Sequence, residues 1–172
     1  MKVDIGVLLR GEDATPINFN YAIEKLPADV SEALMIDTES PIAIAGSITL
    51  RDRIITFAAS ASFEFSASCA RCASPMNEKF ETQVEKVIVA SLENEDTDTE
   101  NYIIATETVL DLDELMLEFI QLEMPMRFLC REDCAGLCQK CGADLNLGDC
   151  GCPKKEIDPR LAALSDYFKE KK

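Results

Sequence analysis

Ile55-Thr56-Phe57-Ala58-Ala59-Ser60-Ala61-Ser62-Phe63-Glu64-Phe65-Ser66-Ala67-Ser68-Cys69 alternates along its whole length. Ile55, Phe57, Ala59, Ala61, Phe63, Phe65, Ala67 and Cys69 share one parity, and Thr56, Ser60, Ser62, Glu64, Ser66 and Ser68 take the other. Successive side chains of a strand project to opposite faces, so this stretch predicts one or two strands with a buried face and a wet face. It also carries Cys69 to a strand end on the core side. Upstream, Arg51-Asp52-Arg53 separates two apolar runs and predicts a hairpin turn. From Ile42 to Leu50 the isoleucines again fall on alternate positions, with Gly46 expected at a bulge or a close backbone approach. Downstream, Lys79 to Ser91 predicts a strand bearing Phe80, Val84, Val87 and Val89, and the change of parity after Val84 predicts a bulge. Residues 1 to about 110 as a whole read as strands, Tyr102 to Ala105 being one more short one.

The period then changes. Leu112, Leu115, Met116, Phe119 and Ile120 form one helical stripe, Asp111 with Glu114 has the form of a capping box, and Pro125 ends the run. Leu117 and Leu122 lie outside the stripe, which implies cover on more than one side. Asn94 to Asn101 is nearly all acid, threonine and asparagine, and predicts an exposed loop. Asp158-Pro159 predicts a helix start, with Leu161, Leu164 and Phe168 on an apolar edge. The expected fold class is therefore α+β: an antiparallel, strand-rich N-terminal region, one central helix, and a C-terminal cysteine-rich zinc-binding module with a short terminal helix. We expect two domains. Residues 1–128 form the strand-rich part with the Cys69/Cys72 pair, and residues 129–172 form the module packed on it.

The chain has eight cysteines and no histidine. Six cysteines crowd into Cys130-x3-Cys134-x3-Cys138-x2-Cys141-x8-Cys150-x-Cys152, and Cys69-Ala-Arg-Cys72 is the remaining pair. Two intervening residues let both sulfurs of a Cys-x2-Cys reach one soft cation, and Gly142 after Cys141 permits a tight turn. A disulfide framework is the competing reading. The first ten residues include Asp4 and Arg10 with no apolar run of signal-peptide length, and no stretch approaches a membrane span. Reduced, metal-bound cysteines in a cytoplasmic protein are expected, without membrane association. The preferred partition sets Cys138, Cys141, Cys150 and Cys152 on one zinc and Cys69, Cys72, Cys130 and Cys134 on a second. Another partition joins Cys134, Cys138, Cys141 and one of Cys150 or Cys152 on a single ion. Four thiolates suit iron as well as zinc.

Seventeen basic against 32 acidic side chains leave a formal charge of −15 over 172 residues. Such a surface repels a phosphate backbone on average and favours a basic protein partner. The acidity also reads simply as solubility. A local basic patch of Arg71, Arg127, Arg131, Lys140, Lys154, Lys155 and Arg160 keeps a short RNA element open as a partner, although these groups equally offset the thiolate charge. Catalysis is not expected. No histidine is present for acid–base work, no phosphate-binding glycine loop occurs, and zinc closed by four thiolates leaves no position for water.

The run Cys-Arg-Glu-Asp-Cys-Ala-Gly-Leu-Cys-Gln-Lys-Cys-Gly-Ala-Asp-Leu-Asn, residues 130 to 146, resembles the YceD family of bacterial and plastid proteins. Cys150-Gly-Cys152, Asp158-Pro159-Arg160-Leu161, Cys69-Ala-Arg-Cys72 and the Leu112-to-Pro125 helix fit the same pattern, over about the last 110 residues. The resemblance implies a large ribosomal RNA subunit accumulation protein, one that supports synthesis, processing or stability of 23S rRNA. The implied partner is a basic ribosomal protein or ribosome-assembly factor, and no catalytic residue carries over. A zinc-thiolate redox switch or redox-regulated chaperone is the alternative, since clustered thiolates beside Arg131 and Lys140 are open to oxidation.

Overall fold

The computed structural model describes residues 1–12, 15–91 and 101–153. The terminal helix expected from Asp158, and nearly all of the acidic loop, lie outside them. Among the described residues eight strands and three helices follow in chain order: β1 (Lys2–Asp4), α1 (Gly6–Leu9), β2 (Ile17–Ile23), α2 (Ala28–Leu34), β3 (Ile36–Thr38), β4 (Ile42–Arg51), β5 (Ile54–Ser68), β6 (Pro75–Val89), β7 (Tyr102–Ile104), β8 (Val109–Asp111) and α3 (Leu112–Glu123). The chain is thus strand-rich α+β. The expectation that residues 1 to about 110 are strands throughout is corrected by α1 and α2, which are too short to develop a readable helical period.

The alternating stretch forms one continuous strand. β5 runs for 15 residues beside β6 of the same length. Ile55, Phe57, Ala59, Ala61, Phe63, Phe65, Ala67 and Cys69 are all buried. The strand order is β2-β4-β5-β6-β7, with β3 also paired to β5, and a separate ribbon joins β1 to β8. All pairings are antiparallel except β6 with β7, which is parallel. β4 and β5 meet in the expected hairpin, with Arg51 still paired to Ile54 and the turn reduced to Asp52 (φ 50) and Arg53 (φ 65), both left-handed. That backbone matches the twist of a tight hairpin.

Gly46 sits in unbroken register opposite Ala59, so it marks no bulge. A Cβ there would stand 2.4 Å from the Ala58 carbonyl oxygen and 2.6 Å from the Phe19 ring, so it marks the expected close approach instead. β6 contains no bulge either. Val84 pairs with Ala59 and Ile88 with Ile55 in continuous register, and Ile88 is the residue that enters the core. Val87 and Val89 take the other face and pair with Tyr102 and Ile104 of β7. The apparent slip arose because Val87 and Val89 are apolar residues on the half-exposed face, while the core position between them is Ile88.

The three helices and the inner sheet face share one core. Ile42, Ile44, Ile48 and Phe57 from the sheet, Ile5 beside α1, and Leu112, Met116 and Ile120 of α3 are completely excluded from solvent. Each such side chain contributes roughly 1.5–3 kcal/mol of transfer free energy. Phe57 stands between Phe19, at 5.9 Å between ring centres, and Phe119 of α3, at 6.2 Å. The Asp111 carboxylate caps α3 by accepting from the Asp113 N–H at 3.1 Å, which places the cap where the sequence puts it. Leu122 departs from expectation: it is 73% exposed, and among the described residues nothing covers it. α3 delivers the chain through Pro125 back to the far end of β5, where the cysteines begin.

Candidate metal centres

Cys69 and Cys72 occupy the turn between β5 and β6. Ser68 still pairs with Pro75, so two long strands hold the turn rigid at their common end. Cys69 N–H donates to Ser74 O at 2.9 Å and Ala73 N–H to Cys69 O at 2.8 Å, with Ala73 in a left-handed conformation (φ 57). The returning chain docks on this turn. Ala70 N–H bonds to Phe128 O at 2.8 Å, and the Phe128 ring lies 5.0 Å from that of Phe65. Cys130 and Cys134 follow directly.

The Cys69 and Cys134 sulfurs are 3.8 Å apart, and those of Cys72 and Cys130 are 3.7 Å apart. All four sulfurs lie within 4.8 Å of one another. A disulfide would bring sulfurs to about 2.05 Å. A tetrahedron with arms of about 2.3 Å has edges of about 3.8 Å, so this spacing fits four thiolates around one ion. Cys138, Cys141, Cys150 and Cys152 form the second set under the same 4.8 Å limit. Its knuckle is closed by Cys138 N–H to Ala143 O and Gly142 N–H to Cys138 O, both 2.8 Å, with Gly142 at φ +74. None of the eight cysteines forms a disulfide, and the partition that joins Cys134 to Cys138 and Cys141 is not the one observed.

The surroundings differ. In the first set Cys69, Cys72 and Cys134 are buried, with Met76 and Leu129 packed against them. The second set is more open, and Cys141 is exposed. Side-chain and backbone donors surround the first set. Arg71 N–H reaches Cys69 Sγ at 3.5 Å, Ser74 Oγ lies 2.9 Å from Cys72 Sγ, and Asn146 Nδ2 reaches Cys134 Sγ at 3.5 Å. Arg71 Nη1 also donates to the carbonyls of Cys134 at 2.9 Å and Glu132 at 3.1 Å.

Asn146 is a residue that motif reading passed over. Its Oδ1 accepts from Ala135 N–H at 2.8 Å and Arg131 Nη2 at 2.6 Å, while Nδ2 donates to Asp144 Oδ1 at 2.6 Å. Next to it, Leu145 N–H bonds to Gly136 O at 2.9 Å, and Leu137 N–H bonds to Arg71 O at 3.0 Å. These contacts join the knuckle of the second set to the turn that carries the first. In sequence, Asn146 reads only as a turn residue.

Charge in each set is unevenly held. Backbone N–H groups of Cys130, Cys72 and Arg71 draw the Cys69 thiol down to about 6. Those of Cys141 and Lys140 draw Cys138 down to about 6 as well. Cys72 is lowered, chiefly by the Ser74 hydroxyl. Cys130 is pushed up to about 12, first by burial and then by the thiols of Cys72 and Cys134. Although the residue as a whole is exposed, its sulfur faces the other three. Cys152 is pushed up to about 12 by hydrogen bonding with the Cys141 and Cys150 thiols. For Cys150 the pull of the Cys152 N–H is outweighed by the Cys138 thiol and by burial, and the group ends up raised. Four touching sulfurs cannot all ionise on their own, because each thiolate opposes the next. A divalent cation at the centre removes that conflict, and the donor set of both clusters suits one.

The basic groups are largely committed here. Arg71 donates to backbone carbonyls, and Arg131 is shared between Asn146 and Asp133, the latter at 3.4 Å. Arg127 is exposed, whereas Lys154, Lys155 and Arg160 of the anticipated patch lie outside the described residues. Among the described residues, no helix is long and apolar enough to cross a membrane.

Fold and sites together define a class: a strand-rich α+β protein with two four-cysteine sets, one shared between the β5–β6 turn and the segment after α3, the other lying within residues 138–152. The chain belongs to the YceD family, whose model, described as large ribosomal RNA subunit accumulation protein YceD, matches residues 57–167. An uncharacterized protein of Mycobacterium tuberculosis is 32% identical over 102 residues, covering 58% of this chain and 49% of the relative. YlbN of Bacillus subtilis, also uncharacterized, is 26% identical over 132 residues, 76% of each chain. Large ribosomal RNA subunit accumulation protein YCED homolog 1, chloroplastic, of Arabidopsis thaliana is 35% identical over 57 residues, 33% of this chain and 18% of that one. The chain spans about half the length of the mycobacterial relatives it matches. No solved structure matches it significantly.

Proposed function

We propose that this chain is a non-enzymatic ribosome-biogenesis factor of the cytoplasm that supports synthesis, processing or stability of 23S rRNA. The observation that carries the reading is a family match, to a model described by large ribosomal RNA subunit accumulation, that runs through both cysteine sets. Cys69, Cys72, Cys130 and Cys134 would hold one zinc, and Cys138, Cys141, Cys150 and Cys152 another. Bound zinc supplies cross-linking, since four thiolates leave it no open position for a substrate. Sulfurs this close suit a single ion better than a multinuclear cluster, whose bulk would hold them further apart. The chain's own residues do the rest. Arg71 and Asn146 orient the thiolates, and the β5–β6 hairpin holds the module in one pose against the sheet.

The partner is a basic ribosomal protein or assembly factor. A net charge of −15 supports this, as does the engagement of Arg71 and Arg131 within the module, which leaves fewer cations for a phosphate backbone. Depletion in cells should lower 23S rRNA relative to 16S rRNA, and an unchanged ratio would remove the reading. A pull-down with and without nuclease separates a protein partner from an RNA one. Peroxide-driven metal release accompanied by holdase activity would favour a redox switch instead.

A further inference from the structure

A groove of 730 Å³ runs between β7 and α3, and among the described residues no cysteine lines it. Tyr102, Ile104 and Val109 line it, and they are 39%, 50% and 45% exposed. Glu107, Glu114 and Glu118 also line it, and among the described residues the one basic residue there is Lys2. Two features of this groove are unresolved within the described chain.

The first is backbone. β7 pairs with β6 on one side, and among the described residues its other edge has no strand. Proteins guard such an edge with short length, charge, proline or a bulge. β7 is three residues long, and Tyr102-Ile103-Ile104 carries no charge and no proline. A partner strand would gain only a short ladder there and must draw the rest of its hold from side chains. The second is charge. Glu114 and Glu118 lie one turn apart on α3, where like charges repel. Among the described residues, none of the three glutamates makes an ion pair.

We propose that this groove receives an extended cationic segment of a partner protein, added as a strand to the free edge of β7. Its backbone would complete the edge, alternate apolar side chains would cover Ile104 and Val109, and its lysines or arginines would meet Glu107, Glu114 and Glu118. The inference rests on the basic-partner reading above and supplies a surface for it, one that needs no metal.

The test uses the full, zinc-loaded chain and a labelled short peptide of alternating lysine and valine, followed by fluorescence anisotropy. Binding should weaken as salt rises, and a peptide with glutamate in place of lysine should not bind. The double variant E114K/E118K, with an unchanged circular dichroism spectrum, should bind about tenfold more weakly at low salt. Ile104→Asp should abolish binding. Equal affinity for both peptides, or for native and charge-reversed protein, overturns the proposal. So does self-association of the native chain that Ile104→Asp removes, because the occupant is then a second copy. An unchanged 23S to 16S ratio on depletion would sink the rRNA reading while leaving the peptide result standing, so the two failures are distinguishable.

Discussion

Asn146 shows what one side chain can contribute to a thiolate site it does not enter. Its carboxamide offers a donor to Cys134 Sγ and to Asp144 while accepting from Ala135 and Arg131, so neither end can be exchanged for the other. Asn146→Asp keeps the shape but aims a carboxylate at a thiolate and at Asp144. Metal affinity of the first set should fall about 10- to 100-fold, the usual cost of losing such an orienting partner. Chelator competition with metal stoichiometry measures this, and the second set should retain its ion. Protons belong to the same scale. At neutral pH the metal-free chain carries thiolates at Cys69 and Cys138, lowered to about 6, and thiols at Cys130 and Cys152, raised to about 12. A chain with metal in both sets would carry thiolates throughout, so the metal-free form would hold more protons. Binding should therefore release protons, and affinity should climb with pH from about 6 upward. Calorimetry in two buffers of different ionisation enthalpy reads the release, and a value of zero would contradict the assignment.

At the scale of elements, the sheet's tolerance depends on how closely its neighbours approach. Gly46 of β4 has no room for a side chain between the Ala58 carbonyl and Phe19. Gly46→Val should destabilise the chain by about 1–3 kcal/mol, as overpacking does, and denaturant titration gives the value. On α3 the two faces should separate cleanly. Met116 is fully buried, and Met116→Ala should cost about 2–5 kcal/mol. Leu122 is 73% exposed, and Leu122→Gln should stay within about 0.5 kcal/mol. A large cost at Leu122 would mean that something covers that face in solution.

For the whole molecule, the two cysteine sets should fail differently. Cys69 and Cys134 are 65 positions apart, so the first set closes a long loop, whereas the second lies within the module. Cys130→Ser should loosen the module from the sheet, and the amides of Ala70 and Leu137, bonded to Phe128 O and Arg71 O, are its reporters in hydrogen exchange. Cys138→Ser should leave Ala70 protected. In both variants the centre of β5, paired on two sides and closed over the aromatic core, should exchange as in the native chain.

Period-two alternation through β5 was sufficient for its strand, its buried face and the delivery of Cys69 to the strand end, because a strand's geometry is written in its own sequence. The helical stripe and the Asp111 cap of α3 were legible for the same local reason. Spacing alone also favoured the two cysteine sets, yet it left a competing partition open, since sulfurs that are near in sequence need not be near in space. Only the tertiary structure brought the Cys69 and Cys134 sulfurs to 3.8 Å and put Asn146 between the two knuckles. Only it left the edge of β7 without a strand among the described residues, beside Glu107, Glu114 and Glu118. Those outcomes depend on where distant segments dock, and docking is governed by a packed core that no local pattern describes.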